Sequence, residues 1–372
     1  MPGSQDRSSR RLLPVLALGL LALSLAACSS TRNIATQRII APENLEVARL
    51  KTLAMVEFDG ELGPRLSRRL AKRLAEVRVD GQRLFELTGP ITLHAGGSQD
   101  VEAVALARKL DARAAIRGRA DLRRETDYEV PVVLEDCVKY ADKKKKTCIE
   151  TQPVILHCAE LSVTLNYSVL ASDVVSARPI YDPGQTRLVE RDRECIRYPA
   201  EQAHDGVELL EGRVDDLAAG LRRELLDQAV ERIHRDIAPY TETVRITFLS
   251  EPDALAEAPA ERFGAAADLV NDRRIEAGCE IWRNMVEGGL RDPALTYNLA
   301  ACAEQEESYG VAGRLYALTR RYADELQGQA GAEERNYDYE DWAKLVAKAQ
   351  DRVGRLYRSQ QAMDVLRTKP QP

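Results

Sequence analysis

The chain has 372 residues, 30% of them charged, and carries a formal net charge of −6. This length leaves room for about two folded domains. The slight acidic excess excludes a protein that attracts nucleic acid through overall charge.

The N-terminal segment has the parts of a secretory signal. Basic residues precede an apolar run that begins at Leu12, and the small residues Ala26 and Ala27 lead to Cys28. This order is typical of a signal peptide rather than a spanning helix. A cysteine at the cleavage point resembles the lipobox of bacterial lipoproteins, whose mature chain starts at an acylated cysteine. An ordinary signal peptide with an incidental cysteine is the alternative.

The lipobox resemblance implies that residues 1–28 are a lipoprotein signal peptide and that Cys28 carries the lipid, including a palmitate-type chain. Several acyl chains anchor a protein stably, whereas one chain binds reversibly. In such lipoproteins the residue after the cysteine influences sorting, and Ser29 implies the outer membrane. No later apolar stretch is long enough to span a bilayer as a helix. We therefore expect a lipid-anchored outer-membrane protein that faces the periplasm.

A short tether and an α/β domain are predicted next. Residues 29–48 are polar and lack periodicity, which predicts a tether. In the domain at 49–249, Leu53–Phe58 predicts a buried strand, and leucines at helical spacing follow Pro64. Leu84–Leu87 predicts a second short strand, and a third starts at Ala114. Strands alternating with helices predict a mixed sheet with flanking helices.

Beyond Tyr128 the pattern predicts β-hairpin extensions. Apolar and polar residues alternate through Leu161–Val169, and a partner strand follows over Thr186–Cys195. A long amphipathic helix ends before Pro239. The apolar alternation from Val244 then predicts a last strand that returns to the sheet.

Besides Cys28, the chain has six cysteines, an even number that suits disulfides in the oxidising periplasm. Many pairings are open. Two strands joined at a charged tip favour Cys137–Cys148, and the ends of the second strand pair favour Cys158–Cys195. A metal site is the alternative, but no CxxC spacing supports it. The full set is Cys137, Cys148, Cys158, Cys195, Cys279 and Cys302.

Residues 51–248 resemble the α/β domain of the curli secretion channel (CsgG) family, which also occurs in periplasmic lipoproteins that activate peptidoglycan synthases. The resemblance rests on residues 53–60, 66–70 and 107–118, followed by the strand at 161–169 in the expected order. In the channel family two hairpins extend from this domain and form a membrane pore. Charged residues interrupt any lipid-facing side in the matching segments here. Soluble hairpins are therefore expected, with a channel as the alternative.

After a Pro- and Ala-rich linker at 250–259, residues 260–367 are predicted to be helical. The segment from Asn298 resembles the tetratricopeptide repeat, and a shift by the family period of about 34 residues places similar residues at the matching positions. The resemblance places Cys279 and Cys302 on neighbouring helices of adjacent repeats and implies a disulfide between them. A pair of generic helical hairpins is the alternative. The residues predicted to contact a partner protein are Trp282, Tyr297, Asn298, Tyr309 and Tyr316.

No motif for nucleotide binding, metal-dependent hydrolysis or nucleophilic catalysis is present. We therefore expect no enzyme activity, no cofactor and no metal. The sequence predicts an outer-membrane-anchored periplasmic lipoprotein that acts as a non-enzymatic protein-binding adaptor or envelope assembly factor. The alternative is a subunit of a CsgG-type outer-membrane secretion channel. The expected partners are the membrane, through the lipid, and another envelope protein, with no nucleic acid. Oligomeric state stays open.

Overall fold

The computed structural model describes residues 31–92, 99–141, 144, 147–252, 254–329 and 339–368. The predicted signal segment with Cys28 lies outside these residues. The chain divides into a helical unit, made of residues up to Arg38 and Glu242–Ser359, and an α/β unit, made of Ile39–Thr241 and the residues from Gln360 onward. An α/β unit with a mixed sheet and a helical C-terminal region is the fold class that the sequence predicts, and it is confirmed in those terms.

The strands and helices are numbered separately in chain order. The strands are β1 (Thr31–Ile40), β2 (Thr52–Val56), β3 (Arg78–Val79), β4 (Gln82–Arg83), β5 (Glu86–Ile91), β6 (Ala114–Tyr128), β7 (Val132–Tyr140), β8 (Cys148–Asp173), β9 (Pro179–Tyr181), β10 (Gln185–Pro199) and β11 (Tyr240–Leu249). The helices are α1 (Leu45–Leu50), α2 (Gly63–Ala75), α3 (Gln99–Lys109), α4 (Ala203–Ile237), α5 (Glu257–Asn271), α6 (Ile275–Glu287), α7 (Pro293–Gln305), α8 (Tyr309–Gln329) and α9 (Tyr339–Arg367).

The sheet of the α/β unit has the order β10-β8-β6-β2-β5. β2 runs parallel to β5 and β6, whereas β8 runs antiparallel to β6 and β10. The apolar positions predicted for β8, from Leu161 through Val169, are buried. Their period of two directs them to one face of the sheet, where they join the core.

Two helices, α2 and the long α4, supply most of the other side of that core. α2 begins with Pro64 in its first turn and buries Leu66, Leu70 and Leu74. The stripe predicted for α4 is buried as well, from Leu210 to Ile233. A smaller cluster on β2, β6 and α3 forms a second core. Apolar residues at helical spacing therefore position α2 and α4 on the sheet, as the sequence predicts.

β7 and the first part of β8 form an arm in which most side chains are exposed. Cys137 and Cys148 are bonded across this arm. They are not directly opposite, because register irregularities pair Cys137 with Thr151 and Cys148 with Tyr140. Residues 142, 143, 145 and 146, which include most of the lysine run, lie outside the described residues.

The second disulfide joins β8 to β10. Cys158 and Cys195 are directly opposite in the antiparallel ladder, with 4.1 Å between their Cα atoms. This separation is typical of a non-hydrogen-bonded pair, where side chains approach most closely. The predicted pairing is confirmed.

The predicted tether at 29–48 is wrong over most of its length. Residues 31–40 form β1, which pairs with β11 in a two-stranded sheet, and Leu45–Leu50 form α1. The sequence pattern does not indicate this strand, because one inward position of β1 is Arg38, which interrupts the apolar alternation. The Arg38 guanidinium donates to the carbonyl of Gln305 at 2.8 Å and pairs with Glu307 at 2.8 Å. It therefore satisfies backbone acceptors at the C-terminus of α7.

The predicted domain boundaries change at two further places. β11 does not return to the large sheet: its Phe248 stacks on Trp282, and its Leu249 is hydrogen-bonded to Asn298, so it belongs to the helical unit. The end of α9 belongs to the α/β unit, because Met363 and Leu366 lie in its core. Neither assignment can be predicted from local periodicity, since both depend on contacts between residues far apart in the sequence.

In the helical unit, α5 packs against α6 and α7 packs against α8. The N-terminal half of α9 follows, burying Val346, Ala349 and Val353 as the sequence predicts for a capping helix. Among the residues that the structure describes, no helix is both long and apolar enough to cross a membrane.

Candidate functional site

The two helical hairpins of the helical unit repeat the same backbone geometry. α5 ends with hydrogen bonds from Asp272 to Asp268, from Arg273 to Val270 and from Arg274 to Leu269. The end of α7 has the same three bonds about 34 residues later, from Glu306 to Cys302, from Glu307 to Glu304 and from Ser308 to Ala303. Arg273 and Glu307 both have positive φ, at 62° and 60°. The two turns are therefore structurally equivalent.

Side chains repeat at the same interval. Phe263 contacts Trp282 with ring centroids 5.6 Å apart, and the equivalent Tyr297 contacts Tyr316 at 5.1 Å. Gly278 marks the close crossing of the first hairpin, because a Cβ there would lie 2.7 Å from the Ala266 carbonyl oxygen. The first hairpin is thus held by an aromatic pair and a small residue at the crossing, and the second hairpin by an equivalent aromatic pair.

The five residues predicted to contact a partner are all buried, so the prediction of direct contact is wrong. Trp282, Tyr297, Asn298 and Tyr316 are fully buried, and Tyr309 is 5% exposed. The Asn298 amide donates to the Leu249 carbonyl at 2.9 Å, and its oxygen accepts from the Leu249 N–H at 2.8 Å. These side chains pack the helices together and are not available for direct contact with a partner protein.

A buried ionic cluster, which the sequence did not indicate, lies behind the aromatic pair. Glu304 has no exposed surface and binds the Arg352 guanidinium through both carboxylate oxygens, at 2.6 and 2.8 Å. The Tyr316 hydroxyl donates to the same carboxylate at 3.0 Å. Glu304 and Arg352 belong to different helices, and both are charged residues of the kind that usually lies on a helix surface. Sequence reasoning therefore lacked any signal for the pair.

Burial and charge shift the pKa values of this cluster. Burial raises the pKa of Tyr297 to about 12 and that of Tyr316 well above its ordinary value. Burial alone lowers the pKa of Arg352, but its hydrogen bonds and charge attraction to Glu304 outweigh this and raise it. Arg352 is therefore charged at neutral pH, and the hydroxyls of Tyr297 and Tyr316 are neutral.

Next to the equivalent turns, a cleft of about 630 Å³ opens between the start of α6 and the end of α7. The predicted disulfide Cys279–Cys302 is present and lines it, with 5.8 Å between the Cα atoms. It joins the second helix of one hairpin to the first helix of the next, as the repeat alignment implies. The cleft is lined by Arg273, Arg274, Ile275, Glu276, Ala277, Cys279, Cys302, Gln305 and Glu306.

The polar groups of the cleft favour an acidic, hydrogen-bonding ligand. Arg273 and Arg274 are exposed and have no carboxylate partner among the described residues. Of the two glutamates that line the cleft, Glu306 is paired with Arg283 at 3.4 Å, and the exposed Glu276 lies in the first turn of α6. No side chain caps the N-terminus of α6. The Gln305 Oε1 atom is buried without a donor in the described part of the chain. A peptide carboxylate and a peptide N–H fit these groups.

Within the described ranges, no group of three or more His, Cys, Asp or Glu side chains is arranged to hold a metal ion. No protein-family model matches the chain, and no curated protein matches it. Among solved structures, the chain is similar to a homologue of a neuraminyllactose-binding hemagglutinin from Helicobacter pylori. The match has 12% identity over 52% of this chain and 94% of that chain, with a TM-score of 0.17. A likeness this low carries no argument, so the site is interpreted from its own geometry.

Loss of the Cys279–Cys302 disulfide will destabilise the helical unit. Closing a loop of 23 residues restricts the unfolded chain by about 3 kcal/mol in the chain-entropy description. We expect the double variant Cys279→Ala/Cys302→Ala to lose about that much in denaturant unfolding followed by tryptophan fluorescence. Both tryptophans, Trp282 and Trp342, lie in this unit. The matched control, Cys137→Ala/Cys148→Ala in the exposed arm, should leave that transition unchanged; equal shifts would contradict the assignment.

Proposed function

We propose that the protein is an outer-membrane-anchored periplasmic lipoprotein that binds another envelope protein through its helical unit, as a non-enzymatic adaptor or assembly factor. The observation that carries the proposal is the matching hydrogen bonds and positive φ values of the turns in the two helical hairpins, with a polar cleft beside these turns. Stacked helical repeats commonly present such surfaces to protein partners. The hairpins are interpreted as tetratricopeptide-like, and the α/β unit as CsgG-like.

Site-specific photo-crosslinking in cells tests the proposed binding surface. A photoreactive residue at Glu276, in the cleft, is expected to give one discrete crosslinked product. The same residue at Ala317, exposed on α8, is the control and should give none. The charge reversals Arg273→Glu and Arg274→Glu should abolish the product. A product that persists with these reversals, or equal labelling from both positions, would remove the cleft as the binding surface.

The anchor has its own test. Cys28→Ser removes the thiol that the lipid requires, so the variant should move from the membrane fraction to the soluble periplasmic fraction. Cell fractionation with immunoblotting measures this, and a Ser30→Ala variant should remain with the membrane. If Cys28→Ser protein still needs detergent for extraction, the lipid is not the anchor.

A subunit of a CsgG-type secretion channel is the second candidate. It is favoured by exposed apolar side chains on the β7–β8 arm and just before it, namely Val130, Val132, Val133, Val138 and Ile149. Exposed charges interrupt the same strands at Glu135 and Lys139. Light scattering of the purified protein in detergent separates the candidates. A large discrete ring favours the channel, whereas a monomer or dimer favours the adaptor.

A further inference from the structure

The outward face of α2 carries a row of cations with no acidic counterpart in the helix. Five of its thirteen residues are basic, and none is acidic. Arg69 and Arg73 point toward α4, where they pair with Asp227 and Glu231. The other three have no ion-pair partner in the part of the chain that the structure describes and are exposed: Arg65, Arg68 and Lys72.

The positions of these three cations are unfavourable for the isolated protein. Their spacing places them on one stripe of the helix, so that like charges are neighbours at i+3 and i+4. Arg65 also lies in the first turn, where the helix dipole disfavours a positive charge. A face that served only for solubility would be expected to alternate its charges.

The same sign continues directly after the helix. Arg78 in β3 is opposite Arg83 in β4, and both side chains are exposed. Like charges directly opposite each other destabilise a strand pair. Asp80, between β3 and β4, is paired with Arg367, and the exposed Glu61 and Glu76 flank the two ends of α2. We call the five residues Arg65, Arg68, Lys72, Arg78 and Arg83 the basic strip.

The chemistry of the basic strip favours an extended anionic surface over a defined ligand. The apolar residues between its cations, Leu66, Leu70 and Leu74, are fully buried in the core. The strip therefore has no apolar or aromatic anchor of the kind on which protein interfaces depend. It also has no exposed aromatic ring on which a nucleobase could stack. Attraction to lipid headgroups needs only the charges.

We propose that the basic strip binds the headgroups of an anionic phospholipid membrane. Binding offsets the like-charge repulsion within α2 and between β3 and β4. Binding through the basic strip needs no lipid on Cys28. It gives the α/β unit a membrane contact of its own.

The test uses protein that starts at residue 29, which has no acylated cysteine and retains every described residue. Vesicles contain phosphatidylglycerol and phosphatidylcholine at low salt, and binding is measured by co-sedimentation. Each cation near an anionic surface strengthens binding about fivefold. The triple variant Arg65→Gln/Arg68→Gln/Lys72→Gln should therefore bind about 100-fold more weakly. It should unfold at the same temperature as the parent or a higher one, since repulsion is removed.

A matched control removes the same charge elsewhere in the α/β unit. Arg178, Arg187 and Arg191 are exposed but do not form a row on one helix. Replacing these three by glutamine should weaken binding far less than the triple change in α2. Equal loss from both variants, or equal binding of the parent to neutral vesicles, would overturn the proposal. Stronger binding to soluble polyglutamate than to vesicles would assign the strip to an acidic protein and would also overturn it.

Discussion

Replacing Glu304 by glutamine will destabilise the helical unit by about 3 kcal/mol, because it leaves the largely buried Arg352 guanidinium without its counter-charge. The change preserves side-chain volume, so the loss comes from charge rather than from a cavity. Denaturant unfolding followed by tryptophan fluorescence measures it, since Trp282 and Trp342 both report on this unit.

Two further variants separate the buried charge from helix effects. Glu306→Gln, at the C-cap of the same helix, breaks the exposed pair with Arg283 and should cost less than about 1 kcal/mol. The double variant Glu304→Leu/Arg352→Met replaces both buried charges and should recover most of the stability lost in Glu304→Gln. A double variant as unstable as Glu304→Gln would show that the pair contributes more than mutual neutralisation.

The second large effect is expected from Asn298→Asp, which is nearly isosteric. The amide that donates to the Leu249 carbonyl becomes an oxygen, so two acceptors face each other in a fully buried site. Loss of the bond and burial of a charge should cost about 3 kcal/mol at pH 7. The Trp282 fluorescence transition is again the measurement, because Phe248, the residue before Leu249, stacks on that ring.

The Asn298→Asp loss should depend on pH. Burial disfavours the carboxylate, so the pKa of the new carboxyl is higher in the folded protein than in the unfolded chain. The folded state therefore binds the proton more tightly, and stability falls as the pH rises above the unfolded value of about 3.9. Unfolding at pH 4 should show a smaller deficit than at pH 7. Asn284→Asp, exposed on α6, is the control, and a pH dependence equal to that of Asn298→Asp would contradict this account.

Much of the fold could be predicted from sequence where a period is sustained. The alternation from Leu161 to Val169 identified β8, and the leucines of α2 and α4 identified the helix faces that cover the sheet. The three disulfide pairings that the sequence favours agree with the structure, because each links neighbouring strands or helices, although other pairings were open from sequence alone. β1 could not, since a buried arginine at position 38 has the appearance of a surface residue.

The site was less accessible to sequence reasoning. The repeat pattern located Tyr297, Asn298 and Tyr316 correctly on their helices, but a pattern of this kind selects the residues that hold the helices together. Residues that contact a partner vary between repeat proteins and leave no such signature. The cleft depends instead on Arg273 and Arg274, ordinary surface residues whose position follows only from the packing of α6 against α7.

The early start of β1 limits how far the protein can reach. If Cys28 is acylated as proposed, its Cα is separated from that of Thr31 by a span of at most about 10 Å, even in a fully extended chain. A tether of twenty residues would let the binding unit search a volume of the periplasm, whereas this linkage holds it against the lipid. The protein would then meet partners by diffusing laterally in the plane of the membrane. Under the proposed function, a partner of the cleft must reach the membrane surface to be bound.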